Sequence, residues 1–328
     1  MKYRQLGKTN LKISEISLGT WQVGGKWGSG FDDQKAENII NTAIDNGVNF
    51  IDTADVYEAG LSEKAVGRVV KSRSEEIFVA SKCGRQINPH VSEGYQPDVL
   101  QKFVEDSLKR TGLETLDLIQ LHCPPTDVYY RPEIFERFEK LKDQGKIRNL
   151  GVSIEKVEEG LKAIEYPNVS SVQIIFNVFR QRPKELFFKE AAKKDVGIIV
   201  RVPLASGLLT GKFDSSTKFE EGDHRNFNRE GEAFDRGETF AGLNFEKGLK
   251  AVDELKALFP EQQNLAPLAL QWILQFSEVS CIIPGASSVD HVKSNLSVYD
   301  LPPLSQKKTE KMNEIYEKYI KQDVHQRW

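Results

Sequence analysis

Short apolar runs alternate with longer amphipathic stretches along most of the chain. The apolar runs predict eight strands, at 16–18, 48–51, 77–80, 116–121, 149–152, 172–175, 198–202 and 281–283. The stretches between them predict helices at 33–46, 97–109, 134–144, 185–194, 245–258 and 268–276, together with one that Ser62 caps. Strands that alternate with helices are typical of βα units around a parallel sheet. We therefore predict an α/β protein built as a closed (β/α)8 TIM barrel.

Three segments fall outside this repeat. Residues 1–14 predict a hairpin before the barrel, and a charged helix from Ser305 onward predicts a C-terminal helical tail. Residues 213–244, after the seventh strand, form a long polar stretch rich in Gly, Asp, Glu and Arg. A loop of that length in a compact protein is usually a lid or a binding loop. No linker separates these segments, so residues 1–328 are expected to form a single domain.

Composition and charge narrow the class of protein. The chain has 328 residues with 45 basic and 48 acidic side chains, a formal net charge of -3. This balance does not indicate a nucleic-acid partner or an anionic membrane partner, and it leaves the oligomeric state open. No apolar run has the length of a membrane span, and the N-terminal residues lack the apolar core of a signal peptide. A cytoplasmic protein is therefore expected.

The cysteines indicate neither a disulfide framework nor a metal site. The three cysteines are an odd number, and no CxxC pair is present, so no metal is expected. Cys83 and Cys123 directly follow Lys82 and His122. If the strands continue, side-chain alternation would turn both thiols away from the barrel mouth and bury them in the core.

Four residues suited to proton or hydride chemistry stand at or just after the ends of predicted strands. They are Asp52, Tyr57 five positions later, Lys82 and His122. In a barrel of parallel strands these side chains would meet at the C-terminal mouth, where such barrels place their active sites. Reduction of a carbonyl by hydride requires a proton for the new alkoxide, and a phenol with an ordinary pKa near 10 carries one at neutral pH.

The other three side chains complete a proton-delivery site. Lys82 is expected to lower the pKa of Tyr57, since a neighbouring cation favours the phenolate, and Asp52 is expected to hold Lys82 in place. His122 could donate a hydrogen bond to the substrate oxygen and polarise the carbonyl. We therefore expect Tyr57 to act as the general acid of the reaction.

At these positions the chain resembles the aldo-keto reductases. The matching segments are Asn-Phe-Ile-Asp-Thr-Ala-Asp-Val-Tyr at 49–57, Ser-Glu at 62–63 with Gly67, Ser-Lys at 81–82, Leu-His at 121–122 and Gly-Val-Ser at 151–153. The resemblance runs from residue 4 to residue 285. It implies a (β/α)8 barrel, a catalytic tetrad of Asp52, Tyr57, Lys82 and His122, and an NADPH cofactor bound without a Rossmann fold.

The resemblance also implies a cofactor site. It places Ser153 and Gln173 at the nicotinamide carboxamide and Arg201 at the position of a tyrosine that stacks on the nicotinamide. A guanidinium plane can also lie against a ring; the alternative is an ion pair at the barrel mouth. The remaining positions follow the pyrophosphate and the adenosine end: Pro203, Leu204, Gly207, Leu209, Gly211, Lys212, Gly285, Ser287, His291 and Asn295.

The cofactor end departs from the family pattern. Ile154 replaces the usual Asn, and the stretch from Ser287 offers serines and His291 where the family often has Arg or Lys for the 2′-phosphate. Hydroxyl and imidazole groups can hydrogen-bond a phosphate but lack the fixed charge of a guanidinium. We therefore expect NADPH as cofactor, with NADH also used and a weaker preference between them than is usual in the family.

Trp21, Trp27 and Tyr130 are candidate walls of an apolar substrate pocket for a small-molecule carbonyl. Two other functions are open at this point. A lysine at a barrel strand end would suit a Schiff-base aldolase that uses Lys82. The family fold also serves as a cofactor-sensing regulatory subunit with little turnover.

Overall fold

The computed structural model describes residues 1–25 and 30–328. Over these residues the chain forms a two-stranded antiparallel hairpin and an eight-stranded parallel sheet. The hairpin consists of β1 (Tyr3–Gln5) and β2 (Lys12–Ser14). The parallel strands are β3 (Leu18–Gly19), β4 (Phe50–Asp52), β5 (Phe78–Cys83), β6 (Leu118–His122), β7 (Leu150–Ser153), β8 (Val169–Ile175), β9 (Gly197–Arg201) and β10 (Val279–Ile282).

From β3 to β9, each strand pairs in parallel with the next one along the chain, and backbone hydrogen bonds join the residues just before β3 to β10. Ser17 N donates to Ile282 O over 2.9 Å, and Ile282 N donates to Glu15 O over 2.9 Å. A further parallel bridge joins Gly19 and Gly285. The predicted (β/α)8 barrel is therefore confirmed.

The helices lie between the strands and beyond the last one. They are α1 (Asp33–Asp45), α2 (Leu61–Ser72), α3 (Pro97–Thr111), α4 (Pro132–Asp143), α5 (Val157–Ala163), α6 (Phe187–Lys193), α7 (His224–Phe227), α8 (Phe245–Leu258), α9 (Ala266–Leu274), α10 (Val289–Leu296), α11 (Gln306–Tyr319) and α12 (Lys321–Val324). No helix among the described residues combines the length and the apolar character that a bilayer crossing needs.

The hairpin closes the amino end of the barrel. Leu6, Leu11 and Ile13 belong to one buried cluster with Phe50 and Phe78, which begin β4 and β5. Gly7 makes the close approach possible, since its φ is +46° and a Cβ there would lie 2.3 Å from Gly197 N. The hairpin does not cover the opposite, carboxyl end of the barrel, where the candidate active site lies.

Three local details differ from the sequence-based expectations. Ser62 does not cap α2; the N-cap is Gly60, and the Ser62 hydroxyl instead donates to Thr20 Oγ1 over 2.8 Å. Helix α5 has no counterpart in the predicted elements, although Glu159 accepts from the backbone N–H groups that precede it, over 3.0 Å each. Helix α10, with Ser288 as N-cap, likewise has no counterpart among the predicted elements.

Candidate active site

The carboxyl ends of the barrel strands bring the predicted residues together. Asp52 ends β4, His122 ends β6 and Ser153 ends β7. His122 lies opposite Ser153, and Ser153 in turn lies opposite Gln173 in the sheet register. Parallel strands in register place these side chains at one edge, which is the mouth that barrel enzymes use.

Lys82 is buried at the centre of a polar network. Its ammonium group donates to Asp52 Oδ1, to Thr53 O over 2.9 Å and to the Tyr57 hydroxyl over 3.1 Å. Only 1% of the Lys82 side chain is exposed, so the charge is held by these partners rather than by water. Burial acts to lower the pKa of Lys82, but Asp52 and Tyr57 outweigh it and raise the pKa above its ordinary value.

The other carboxylate oxygen of Asp52 accepts two hydrogen bonds from glutamine side chains. Asp52 Oδ2 accepts from Gln120 Nε2 over 2.9 Å and from Gln173 Nε2 over 2.8 Å. Gln173 Nε2 also donates to Gln120 Oε1 over 3.1 Å. These bonds fix the carboxylate on both sides, so it holds Lys82 in one position.

Tyr57 lies just beyond β4, in a short helical turn that leads into α2. Burial raises the pKa of Tyr57 above its ordinary value, although Lys82 acts to lower it. Lys82 therefore acts on the phenol in the expected direction, but loss of hydration outweighs the attraction of the ammonium group, so the net pKa is raised rather than lowered. Tyr57 keeps its proton at neutral pH.

His122 faces Tyr57 with a ring-centroid distance of 6.0 Å and an interplanar angle of 84°. Burial, followed by the positive charges of Arg85 and Lys82, lowers the pKa of His122 well below its ordinary value. The imidazole is therefore neutral at physiological pH. Its Nδ1 is buried and has no hydrogen-bond partner, which leaves a polar atom available at the site.

A single cavity of about 360 Å³ connects this network with the predicted cofactor positions. The sequence-predicted residues that line it are Trp21, Asp52, Tyr57, His122, Ser153, Gln173, Arg201, Pro203, Leu204, Gly207, Lys212, Gly285, His291 and Asn295. A Cβ built on Gly285 would meet nothing within 4 Å, so the wall is open there. The lining of this cleft thus extends from Tyr57 to residues of α10.

Some predicted residues do not line the cavity. Lys82 lies behind Tyr57, and Leu209, Gly211 and Ser287 lie just outside the lining, with Ser287 Oγ 3.2 Å from His291 Nδ1. Tyr130 is 64% exposed, with the Lys162 ammonium 5.1 Å from its ring, and the structure does not bring it to the cavity. Trp27 lies outside the described residues.

Arg201 both lines the cavity and forms an ion pair. Its Nη1 lies 3.6 Å from Glu238 Oε1, and its Nη2 donates to Ile154 O over 3.1 Å. Its Nε is buried without a hydrogen-bond partner. Arg201 therefore forms the ion pair that was one of the two alternatives and also lines the cavity, and its stacking on a nicotinamide remains a prediction.

The segment 213–244, hereafter the long loop, contributes a wall of the cavity that the sequence did not specify. Its lining residues are Phe213, His224, Arg225 and Glu238. His224 packs on Trp21 with ring centroids 4.8 Å apart, and burial lowers the pKa of His224 to about 4. The long polar stretch predicted a binding loop, but its sequence carried no signal for which residues face inward. Asn264 and Ser294, at the α10 end, were also missed.

Cys123, Glu155 and Glu238 place their donor atoms within 4.8 Å of one another, a spacing that a metal ion could use. Cations of the chain already occupy this cluster, because Arg201 Nη2 lies 3.5 Å from Cys123 Sγ and Arg85 Nη1 lies 3.0 Å from Glu238 Oε1. Burial raises the pKa of Cys123 to about 11, which disfavours the thiolate that metal binding requires. We interpret the cluster as internal charge balance.

The expected orientation of the two thiols holds for one of them. Cys83 is buried in the main core cluster, whereas buried Cys123 has its Sγ 3.5 Å from Ser153 Oγ, at the barrel mouth. The strand β6 ends at His122, and Cys123 has a φ of 48°. Side-chain alternation therefore stops before Cys123 and cannot turn it away from the mouth.

Asp55 is a second buried carboxyl beside the hydrogen-bond network of Lys82. It is 2% exposed, and burial, followed by the charge of Glu63, raises the pKa of Asp55 from 3.8 to about 7. Glu63 is itself held by Ser81 Oγ and Arg110 Nε. Asp55 therefore exchanges its proton near neutral pH in the folded protein.

We expect Asp55→Asn to change how stability depends on pH. A raised folded-state pKa stabilises the fold at low pH and loses that contribution as pH rises from about 4 to about 7. The asparagine amide does not ionise, so the variant does not lose stability over this pH range. Above pH 7 it should therefore be more stable than the wild type by up to about 4 kcal/mol. Urea unfolding of both proteins at a series of pH values measures this, and parallel curves would contradict the assignment.

Known proteins of one family resemble this chain over most of its length. The model of the aldo/keto reductase family matches residues 15–317. An aldo-keto reductase of Schizosaccharomyces pombe, whose name specifies NADP(+), is 30% identical over 78% of this chain and 75% of its own. An NADH-specific methylglyoxal reductase of Escherichia coli is 28% identical over 92% of this chain and 94% of its own.

A solved structure shows the same fold. The holo form of aldo-keto reductase AKR11C1 from Bacillus halodurans superposes with a TM-score of 0.77 at 28% identity, covering 96% of each chain. Together, the barrel and the family match define an oxidoreductase-type (β/α)8 protein. The chain belongs to the aldo/keto reductase family.

Proposed function

We propose that this protein reduces an aldehyde or ketone to an alcohol with a hydride from NADPH or NADH, and that Tyr57 supplies the proton. The observation that carries the proposal is the Tyr57 hydroxyl, which borders the cavity and lies 3.1 Å from the buried Lys82 ammonium group. A protonated phenol beside a fixed cation can release its proton to an alkoxide, because the phenolate that remains is stabilised by the cation.

His122 orients the substrate in this scheme. Because its pKa is lowered, the ring is neutral and carries one N–H that can donate to the carbonyl oxygen. Its position across from Tyr57 lets both groups reach the same oxygen. A neutral donor polarises the carbonyl without competing with Tyr57 as the acid.

The residues of the cleft fit a nicotinamide dinucleotide. Unsatisfied Arg201 Nε and the open wall at Gly285 are features that a bound ligand would complete. Ser153, Gln173 and Arg201 would hold the nicotinamide end. Lys212, His291 and Asn295 offer charge and hydrogen bonds for the phosphates and the adenosine end. When bound, the reduced cofactor supplies the hydride.

The buried state of Lys82 argues against the aldolase alternative. An imine-forming lysine must present a neutral amine, whereas Lys82 is 1% exposed, donates to three oxygens and has a raised pKa. Borohydride should therefore trap no substrate on Lys82.

A panel of aldehydes, dicarbonyls and sugar-derived ketones, monitored by oxidation of NADPH and NADH, tests the proposed activity. We expect at least one carbonyl to be reduced by the wild type and none to be reduced by Tyr57→Phe at a comparable rate. Tight dinucleotide binding without turnover on any member would instead favour the regulatory-subunit alternative.

We expect both cofactors to support turnover, with NADPH preferred. Lys212 and His291 border the cleft, but Ser287 occupies the place where a charged residue often grips the 2′-phosphate, so the phosphate adds limited binding energy. The names of the two relatives, one NADP(+)-specified and one NADH-specific, show that both preferences occur in the family. The measurement is kcat/KM for each cofactor at saturating carbonyl. A preference for NADPH above about 1,000-fold would contradict it.

A further inference from the structure

The side chain of Trp328 is buried against the long loop. It is 6% exposed, and its Nε1 donates to Asp235 Oδ2 over 3.1 Å. The guanidinium carbon of Arg180 lies 4.2 Å from the ring centroid, an arrangement that favours a cation over an indole face. Arg182 Nη1 donates to Trp328 O over 2.9 Å. The indole is therefore fixed from the barrel side and from the loop side.

Two loop glycines make room for the indole. A Cβ on Gly242 would lie 2.4 Å from Trp328 Cη2, and a Cβ on Gly237 would lie 2.9 Å from Trp328 Cε2. Gly242 also has a φ of +84°, a conformation that other residues rarely adopt. The indole is thus closely packed against Gly237 and Gly242 of segment 235–242.

The same segment carries Glu238 into the cavity wall. Its carboxylate lies 3.0 Å from Arg85 Nη1 and 3.6 Å from Arg201 Nη1, and its backbone oxygen accepts from Ser206 Oγ over 2.9 Å. Arg201, Ser206 and Glu238 all line the cavity. Burial works to raise the pKa of Glu238, but Arg85 and Arg201 keep the pKa below its ordinary value, so the ion pair is charged at neutral pH.

We propose that Trp328 is a positioning residue that clamps segment 235–242 over the cofactor cleft and thereby slows cofactor release. The inference rests on the proposed function for the nature of the ligand. Trp328 does not line the cavity, so it acts through Asp235, Gly237 and Gly242 on Glu238 and Arg201. A wall anchored in this way opens less often, and changes in affinity within one site arise mostly in the dissociation rate.

The first test measures the loop without cofactor. Hydrogen exchange of segment 235–242 should accelerate in Trp328→Ala and less in Trp328→Phe, which keeps a ring on Arg180 but loses the bond to Asp235. Tyr319→Phe is the control, since it removes a hydrogen bond from α11 to Glu254 (2.6 Å) and leaves the loop contacts in place. Unchanged exchange in Trp328→Ala would overturn the clamp.

The second test measures cofactor release. By stopped-flow fluorescence, the NADPH dissociation rate of Trp328→Ala should rise about tenfold, that of Trp328→Phe about threefold, and that of Tyr319→Phe by less than about twofold. The single-turnover rate at saturating NADPH should stay within about twofold, because Tyr57, Lys82 and His122 are untouched. A lower melting temperature with an unchanged dissociation rate would show a role in folding only and would contradict the proposal.

Trp328→Phe keeps the proposal open to contradiction if Trp328→Ala folds poorly, and a double-mutant cycle tests the contact between Trp328 and Gly242 directly. Gly242→Ala places a methyl group against the indole, so it should accelerate NADPH release in the wild type and do so less in the Trp328→Ala background. The backbone strain at Gly242 is the same in both backgrounds and cancels. If the two substitutions had additive effects on the NADPH dissociation rate, the contact between Trp328 and Gly242 would not control release, which would contradict the proposal. If the wild type binds neither NADPH nor NADH, the proposed function fails, whereas unchanged release from the variants contradicts only the clamp.

Discussion

Tyr57→Phe should lower kcat about 100- to 10,000-fold while leaving the dissociation constant for NADPH within about twofold of the wild-type value. The substitution removes one oxygen, the atom that lies 3.1 Å from Lys82 Nζ, and keeps the ring that faces His122. Without the phenol, the alkoxide has no positioned acid, because His122 is a neutral donor and Lys82 is enclosed behind the ring. The measurements are steady-state kinetics and fluorescence titration of the cofactor.

Tyr95→Phe is a matched control for the loss of a buried phenol. The Tyr95 hydroxyl pairs with His90 Nε2 over 2.7 Å, and Tyr95 does not line the cavity. Its removal should change kcat by less than about threefold. If Tyr57→Phe retained a tenth or more of wild-type turnover, Tyr57 would not be the proton donor.

Lys82→Met should lower both activity and stability. It leaves the buried Asp52 carboxylate without its cation, a change that destabilises proteins by about 3–5 kcal/mol. It also removes the positive charge that stabilises the Tyr57 phenolate, so kcat should fall by at least about 100-fold. Urea unfolding and kinetics of the purified variant measure the two effects.

The double variant Asp52→Asn/Lys82→Met separates these two effects. Neutralising Asp52 removes the unpaired charge, and the amide oxygen can still accept from Gln120 or Gln173, so much of the lost stability should return. Turnover should not return, because no cation adjoins Tyr57. Recovery of activity together with stability would show that Lys82 matters only for the fold.

The fold and the mouth residues could be predicted because they follow short-range rules. Strand periodicity located each of the eight strands to within a few residues, and the positions of Asp52, Lys82 and His122 at strand ends followed from it. Once parallel strands close into a barrel, residues at their carboxyl ends must converge. The convergence of Asp52, Tyr57 and His122 on one cavity is therefore a consequence of register rather than of any single motif.

The remainder depends on contacts between distant segments. Glu238 faces the cavity because Arg85 and Arg201 hold it there, and these partners are 153 and 37 positions away. His224 lines the wall because Trp21 packs on it. A polar loop sequence contains no period that marks its inward face, so such residues cannot be identified before the tertiary structure is known.

Electrostatics was the other point that the sequence could not settle. From residue types alone, a lysine beside a tyrosine predicts a lowered phenol pKa. The structure adds the burial of Tyr57, which shifts the pKa upward and outweighs Lys82. Burial also lowers the pKa of His122, which in the proposed mechanism makes His122 a neutral hydrogen-bond donor beside the acid Tyr57.

Isotope transfer tests the central claim most directly. The wild-type protein would be incubated with a carbonyl that it turns over and with NADPH deuterated at C4, in each of its two diastereomers. The account predicts one deuterium on the former carbonyl carbon of the alcohol, from one diastereomer only. Alcohol without deuterium from either diastereomer, or consumption of the carbonyl without oxidation of NADPH, would contradict it.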